Sequence, residues 1–151
     1  MAAESNRVRL EFPALEENVA VARSVAAQVA AVLDFTLPEL EELRVAVSEA
    51  VSNAVLHAYD GPGEGGVVME VRVEAGAVTV EVTDRGRGIA DVDAARAAEY
   101  STLEGHLGLG FAFMEAMSDR LEVESGPSHG TRVRLVKRPH GAAAAAGQSM
   151  P

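Results

Sequence analysis

Glu49 and Asn53 stand four positions apart in the run SEAVSNAVLHAY, residues 48–59. On a helix, positions i and i+4 are surface neighbours, so this carboxylate and this amide would leave adjacent turns in one direction. Two polar groups so placed on an otherwise apolar helix could face a ligand together. Ala46 and Ala50 beside the pair are small and leave room for a ligand. The same two residues are equally what a solvated helix face displays.

Two further segments have chemical capacity. DRGRG, residues 84–88, follows a strand-like run. A carboxylate leaving a sheet and followed by two glycines can hydrogen-bond a base or ring nitrogen while the backbone passes close under the ligand. Asp and Gly also populate plain turns for conformational reasons. GHLGLGF, residues 105–111, has the composition of a glycine-rich loop running into a helix that starts near Leu109. Backbone amides at a helix start bind phosphate without a cationic side chain. That matters because Lys137 is the only lysine and falls in the last strand, so a lysine-bearing phosphate loop of the GxxxxGK type is absent. Phosphate charge would then fall to amides and a metal ion. GLGF is also the string of the PDZ carboxylate-binding loop, but that loop leads into a strand. Here Phe111, Met114 and Met117 continue at helical spacing.

The elements that must hold these groups are legible in the pattern. VRLEF, residues 8–12, alternates as a strand does, and Pro13 opens a helical pattern reaching about Leu33. Thr36 is the expected N-cap of a second helix, with Pro38 at its first position and Glu39, Glu41 and Glu42 at the positive end of its dipole. This helix should run to about Tyr59, with Leu43, Val47, Ala50, Val51 and Ala54 toward a sheet. The breaker run DGPGEGG, residues 60–66, then feeds a hairpin. Val67, Met69, Val71 and Val73 share one face of its first strand, and Val78, Val80 and Val82 one face of its second. RLEVES and TRVRLVK repeat the pattern around GPSHG, so the sheet has one covered face.

Bulk properties narrow the classes. A chain of 151 residues is one domain's worth, and with 48% hydrophobic but only 4% aromatic residues its core must be built from Ala, Val and Leu. The net charge of -10 disfavours nucleic acid and anionic membrane as partners. With no cysteine there is neither a disulfide nor a thiolate site. The N-terminus has no signal-peptide pattern. The longest greasy run, VAVARSVAAQVAAVL, is interrupted by Arg23 and Gln28 and is too short to span a bilayer. A cytoplasmic location is expected, with one domain over 1–138 and a disordered tail over 139–151, where caps and patterned faces are missing.

Taken in order, the motifs are Glu-x-x-x-Asn on a helix, Asp-x-Gly-x-Gly after a hairpin, Gly-x-Gly at a helix and Gly-Thr on a strand. This order resembles the ATP-binding fold shared by DNA gyrase, histidine kinases and the mismatch-repair protein MutL, the GHKL superfamily. In LEFPALEENVAVAR, SEAVSNAVLHAY, VTDRGRGI, GLGF and GTRVRL the chain is most similar to anti-sigma factor serine kinases, in particular the sporulation anti-sigma F factors. The resemblance implies an α+β fold, a two-layer α/β sandwich of the Bergerat type, with helices on one face of a mixed, mostly antiparallel sheet. It implies ATP/ADP and Mg²⁺ as cofactors. Asn53 would hold Mg²⁺, Glu49 would take the proton of a substrate serine, and Asp84, supported by Thr131, would take the adenine amino group. Gly86 and Gly88 would line the adenine floor, Gly108, Leu109 and Gly110 would wrap the phosphates, and Arg23 would meet partners. The implied partners are a sigma factor of the F type, an anti-anti-sigma STAS protein phosphorylated on serine, and a second copy in a homodimer. A general-stress (RsbW-like) kinase, and a nucleotide-controlled sigma-binding module with little or no kinase activity, are the alternatives. One departure bears on the second: sporulation kinases carry a lid arginine before the glycine pair, where this chain has a shorter lid and His106. Arg85 or Arg87 could supply charge instead. The catalytic half of a histidine kinase fits less well, since the first histidine is His57.

Overall fold

Alternation of buried apolar residues with more exposed ones, clearest along the strands of 66–74 and 131–137, builds the sheet. In the computed structural model, which describes residues 5–89, 91–97 and 105–140, nine elements follow one another. They are β1 (Asn6–Pro13), α1 (Glu17–Ala30), α2 (Leu37–His57), β2 (Gly66–Glu74), β3 (Ala77–Asp84), α3 (Val92–Ala97), α4 (Gly105–Met117), β4 (Arg120–Ser125) and β5 (Thr131–Lys137). The strands form one sheet in the order β1-β2-β3-β5-β4. All its neighbouring pairs are antiparallel, so the parallel pairing allowed for in a mixed sheet is not used among the described residues. Register stacks Met69 beside Val82 and Val82 beside Val133, and likewise Val71, Val80 and Leu135, all buried in the core. The other face carries Arg–Glu pairs such as Arg72–Glu70 at 3.5 Å and Arg132–Glu124 at 3.6 Å. Partly exposed pairs of this kind contribute roughly 0–1 kcal/mol each, and serve chiefly to keep the uncovered face wet.

The helices cover the valine face. On α2 the expected stripe of Leu43, Val47, Ala50, Val51 and Ala54 is buried throughout, together with Ala46. α1 buries only Ala22, Ala26, Ala27 and Ala30, so its backbone can lie close against α2. It is shorter than its apolar pattern. After Pro13 the chain bonds to the α2–β2 loop instead of entering a helix: Ala14 N–H donates to the Gly65 carbonyl at 2.8 Å, and Gly63 N–H donates to the Ala14 carbonyl at 3.1 Å. No helix among the described residues is long and apolar enough to cross a membrane.

Thr36 caps α2 as expected. Its hydroxyl accepts the Glu39 N–H at 3.2 Å, and Glu39 Oε1 accepts the Thr36 N–H at 2.9 Å, a reciprocal capping box. The buried Glu39 has a second use, because its Oε2 accepts the N–H of His140 at 2.7 Å. Two residues past the expected boundary at 138 the chain is therefore still tied to the domain; residues 141–151 lie outside the described residues. Glu39→Ala is expected to cost about 2 kcal/mol, seen as a lower urea midpoint at unchanged slope.

Candidate functional site

β3 ends beneath the C-terminal half of α2, and there the sheet delivers its one buried carboxylate. Asp84 aligns with Thr131 of β5 and is only 7% exposed. Burial raises its pKa above the ordinary 3.8, opposed by the amides of Gly86, whose N–H reaches Oδ1 at 2.9 Å, and Thr131. A cleft opens above it. Polar groups of Asn53, His57, Asp84 and Thr131 share its wall with Gly88, Ile89, Phe111 and the small side chains of Ala50, Ala54 and Ala58. The walls are apolar and the polar end is acceptor-rich, a combination that suits a flat aromatic ring bearing an amino donor.

The loop after β3 is fastened at both sides. Gly88 has φ +74, and a Cβ on it would collide with the Gly126 carbonyl oxygen. Gly86 sits elsewhere than expected: a Cβ there would strike the Ala58 carbonyl at the end of α2, so it backs onto the helix while Gly88 lines the cleft. Arg87 N–H donates to that same Ala58 carbonyl at 2.9 Å. Arg85 N–H donates to Tyr59 Oη at 3.0 Å, and Tyr59 donates onward to the Gly66 carbonyl at 2.7 Å. The Arg87 guanidinium is paired with Asp60 at 2.7 Å on the exposed surface. Neither arginine lines the cleft.

Glu49 and Asn53 meet α4. The Cβ position of Gly110 lies 3.1 Å from Glu49 Oε2, 3.3 Å from Asn53 Oδ1 and 3.4 Å from Asn53 Nδ2, so a side chain there would press on both polar groups and glycine eases the approach of the two helices. α4 begins at Gly105 rather than near Leu109, which corrects the expected loop: Gly108, Leu109 and Gly110 are helical. Interior glycine costs a helix roughly 0.5–1 kcal/mol, a penalty offset here by the burial of Phe111 and Met114. The amides of Leu109 and Gly110 thus lie in the helical ladder, and open donors remain only at its first turn. Arg23 is half-buried on α1, away from the cleft. Residues 98–104, where most of the lid is expected, and the side chain of His106 lie outside the described residues.

The residues present fit a nucleotide with a chelated cation. Among the described residues Asn53 Nδ2 has no hydrogen-bond partner, and it is buried beside the cleft, a donor open to a polar ligand. No group of three or more His, Cys, Asp or Glu able to hold a metal exists among the described residues, so a cation here would depend on Asn53 Oδ1 plus ligand and water oxygens. Ser125, which no motif in the sequence singles out, accepts the Ile89 N–H at 2.7 Å and touches Thr131 Oγ1 at 2.8 Å.

Asp84 also gives the site a pH dependence. An ionised carboxylate is the stronger acceptor toward an amino group and a protonated one the weaker, and because burial raises the Asp84 pKa its protonation on acidification comes at higher pH than for a free carboxylate. Adenine-nucleotide affinity is expected to fall as the pH drops through that raised value. Calorimetric titration of ADP from neutral toward acid pH checks this, and Asp84→Asn should bind weakly with the acid-side fall abolished.

Comparison with known proteins agrees with this fold. The family model described as histidine kinase-like ATPase domain matches residues 12–137. An anti-sigma F factor of Pasteuria penetrans is 43% identical over 136 residues, covering 88% of this chain and 91% of that one. An anti-sigma F factor of Bacillus subtilis (strain 168) is 41% identical over 135 residues, covering 87% and 92%. Among solved structures, the RsbU and RsbW domains of a Mycobacterium tuberculosis protein superpose with a TM-score of 0.64 at 21% identity, over 88% of this chain and 32% of that one, a likeness of fold. On the site, the sheet order and these relatives together, the chain belongs to the histidine kinase-like ATPase family, among its anti-sigma F factors.

Proposed function

We propose that the chain is an ATP-dependent protein-serine kinase and anti-sigma factor, which sequesters a sigma factor of the sporulation F type and phosphorylates a serine of an anti-anti-sigma STAS protein. The observation that carries this reading is convergence: Asn53 from α2, Asp84 from β3 and Thr131 from β5 share one cleft, with Glu49 one turn up α2. Asp84 takes the adenine amino group and Thr131 stands beside it, while Gly88 lets the backbone pass under the ring. Asn53 holds Mg²⁺ through its amide oxygen; the ion, when bound to the triphosphate, neutralises phosphate charge. Glu49 accepts the proton that the substrate serine sheds on attack. Gly108, Leu109 and Gly110 are assigned the phosphates, which requires the first turns of α4 to unwind on loading. Arg23 is assigned to partner contact, and the working unit is a cytoplasmic homodimer.

One observation favours a second reading. A Cβ on Gly110 would lie within 3.4 Å of both Glu49 and Asn53, so α4 sits close over the pair and narrows the approach of an incoming hydroxyl while it stays in place. A protein held so would bind its sigma factor under nucleotide control and transfer little phosphate. Incubation with γ-labelled ATP, Mg²⁺, a STAS protein and a sigma factor separates the two. Acid-stable label on a STAS serine supports the kinase; sigma captured with the STAS protein unlabelled supports the module. Capture tested against F-type and general-stress sigma factors decides the regulatory programme.

A further inference from the structure

We propose that Ser125 is a positioning residue for base recognition, fixing the Thr131 hydroxyl so that the polar end of the cleft accepts hydrogen bonds and donates none from that hydroxyl. The inference rests on the assignment of this cleft to adenine, and deepens it by naming what sets the choice of base.

A serine hydroxyl has one proton to give and can accept two hydrogen bonds. Ser125 Oγ has three neighbours at bonding distance: the Ile89 amide at 2.7 Å, the Gly130 carbonyl at 2.8 Å and Thr131 Oγ1 at 2.8 Å. The amide can only donate, and the carbonyl can only accept. The single Ser125 proton is therefore spent on Gly130. In the third contact Thr131 must be the donor, which consumes the only proton it has. What Thr131 then turns to the cleft is lone pairs.

Asp84, paired with Thr131 in register, is likewise an acceptor when ionised. Two acceptors side by side favour a ring with an exocyclic amino group and repel one with a keto oxygen in its place, because an acceptor left facing an acceptor forfeits its hydrogen bond. Hypoxanthine differs from adenine at that atom. The same Ser125 oxygen anchors Ile89, next to Gly88 of the cleft wall, so the loop and the hydroxyl are set together.

The test compares ADP with IDP by calorimetry on the full chain. The unaltered protein is expected to prefer ADP. In Ser125→Ala, Thr131 is free to turn its proton toward a keto oxygen, and the preference should narrow by roughly five- to tenfold, the worth of about one hydrogen bond. Ser125→Thr, which keeps a hydroxyl at the same atom, should restore it. If Ser125 served only to brace the Ile89 loop, both nucleotides would weaken by one common factor and the ratio would stand, which overturns the proposal. Should Ser125→Ala fold poorly, Thr131→Val decides the matter in its place: the ADP preference must shrink there too, and an unchanged preference refutes the role of the hydroxyl. If the unaltered protein bound neither nucleotide, the adenine assignment itself would fall, and this inference with it.

Discussion

Glu49→Gln is expected to leave ADP affinity within a few-fold of the unaltered protein and to slow phosphoryl transfer to a STAS serine by about 10² to 10⁴. The substitution is isosteric, so the fit of this side chain beside α4 and the packing of α2 on α4 are retained. What goes is the proton acceptor proposed for the transfer. Glu49 is half-buried and does not line the cleft wall that holds Asn53, Asp84 and Thr131, which is why binding and transfer should separate. Single-turnover transfer of label measured beside ADP calorimetry reads both. Equal losses in the two would mean that Glu49 supports the nucleotide; an unslowed transfer would remove it from the chemistry.

The second large effect is structural. Gly88→Ala is expected to destabilise the domain by about 3–5 kcal/mol and to abolish tight ADP binding. Two costs add. Left-handed backbone with a Cβ costs roughly 1–2 kcal/mol, and at φ +74 Gly88 occupies that region. Its Cβ would also run into the Gly126 carbonyl, main chain that cannot swing aside as a long side chain could. Gly76 separates the two costs, since it has φ +75 in the β2–β3 turn with nothing within 4 Å of its Cβ position. Gly76→Ala should show the first cost alone, and the difference between the two urea midpoints reports the collision. Equal midpoints would mean that the loop carrying Gly88 yields freely, and the close approach would not be what selects glycine there.

How much could be read in advance follows from which forces are local. The buried stripe of α2, the valine faces of β2 and β3 and the Thr36 cap depend on short-range periodicity and capping chemistry, and all stand where the pattern puts them. The neighbourhood of Asp84 and Thr131 is a different matter. They lie far apart in sequence and meet because β5 inserts between β3 and β4, a crossover that no window of residues encodes. Gly108 and Gly110 misled for a physical reason: glycine is a poor helix former, and what holds these two helical is the seat of α4 on α2, a tertiary effect. Ser125 was invisible because a serine before Gly-Pro reads as turn chemistry. Its three partners come from the loop after β3 and from the start of β5, two places far apart in the chain.

The carboxylate of Glu39 joins residues 101 positions apart when it takes the His140 amide. A growing polypeptide lengthens by about 5–20 residues each second, so roughly 5–20 s separate the synthesis of these two groups on the ribosome. Throughout that interval the start of α2 can be capped by Thr36 but not yet clasped, and β3 waits for the strand that will flank it. The nascent domain thus gains its closing bond among the last, and a chaperone would find its longest helix unclasped until then.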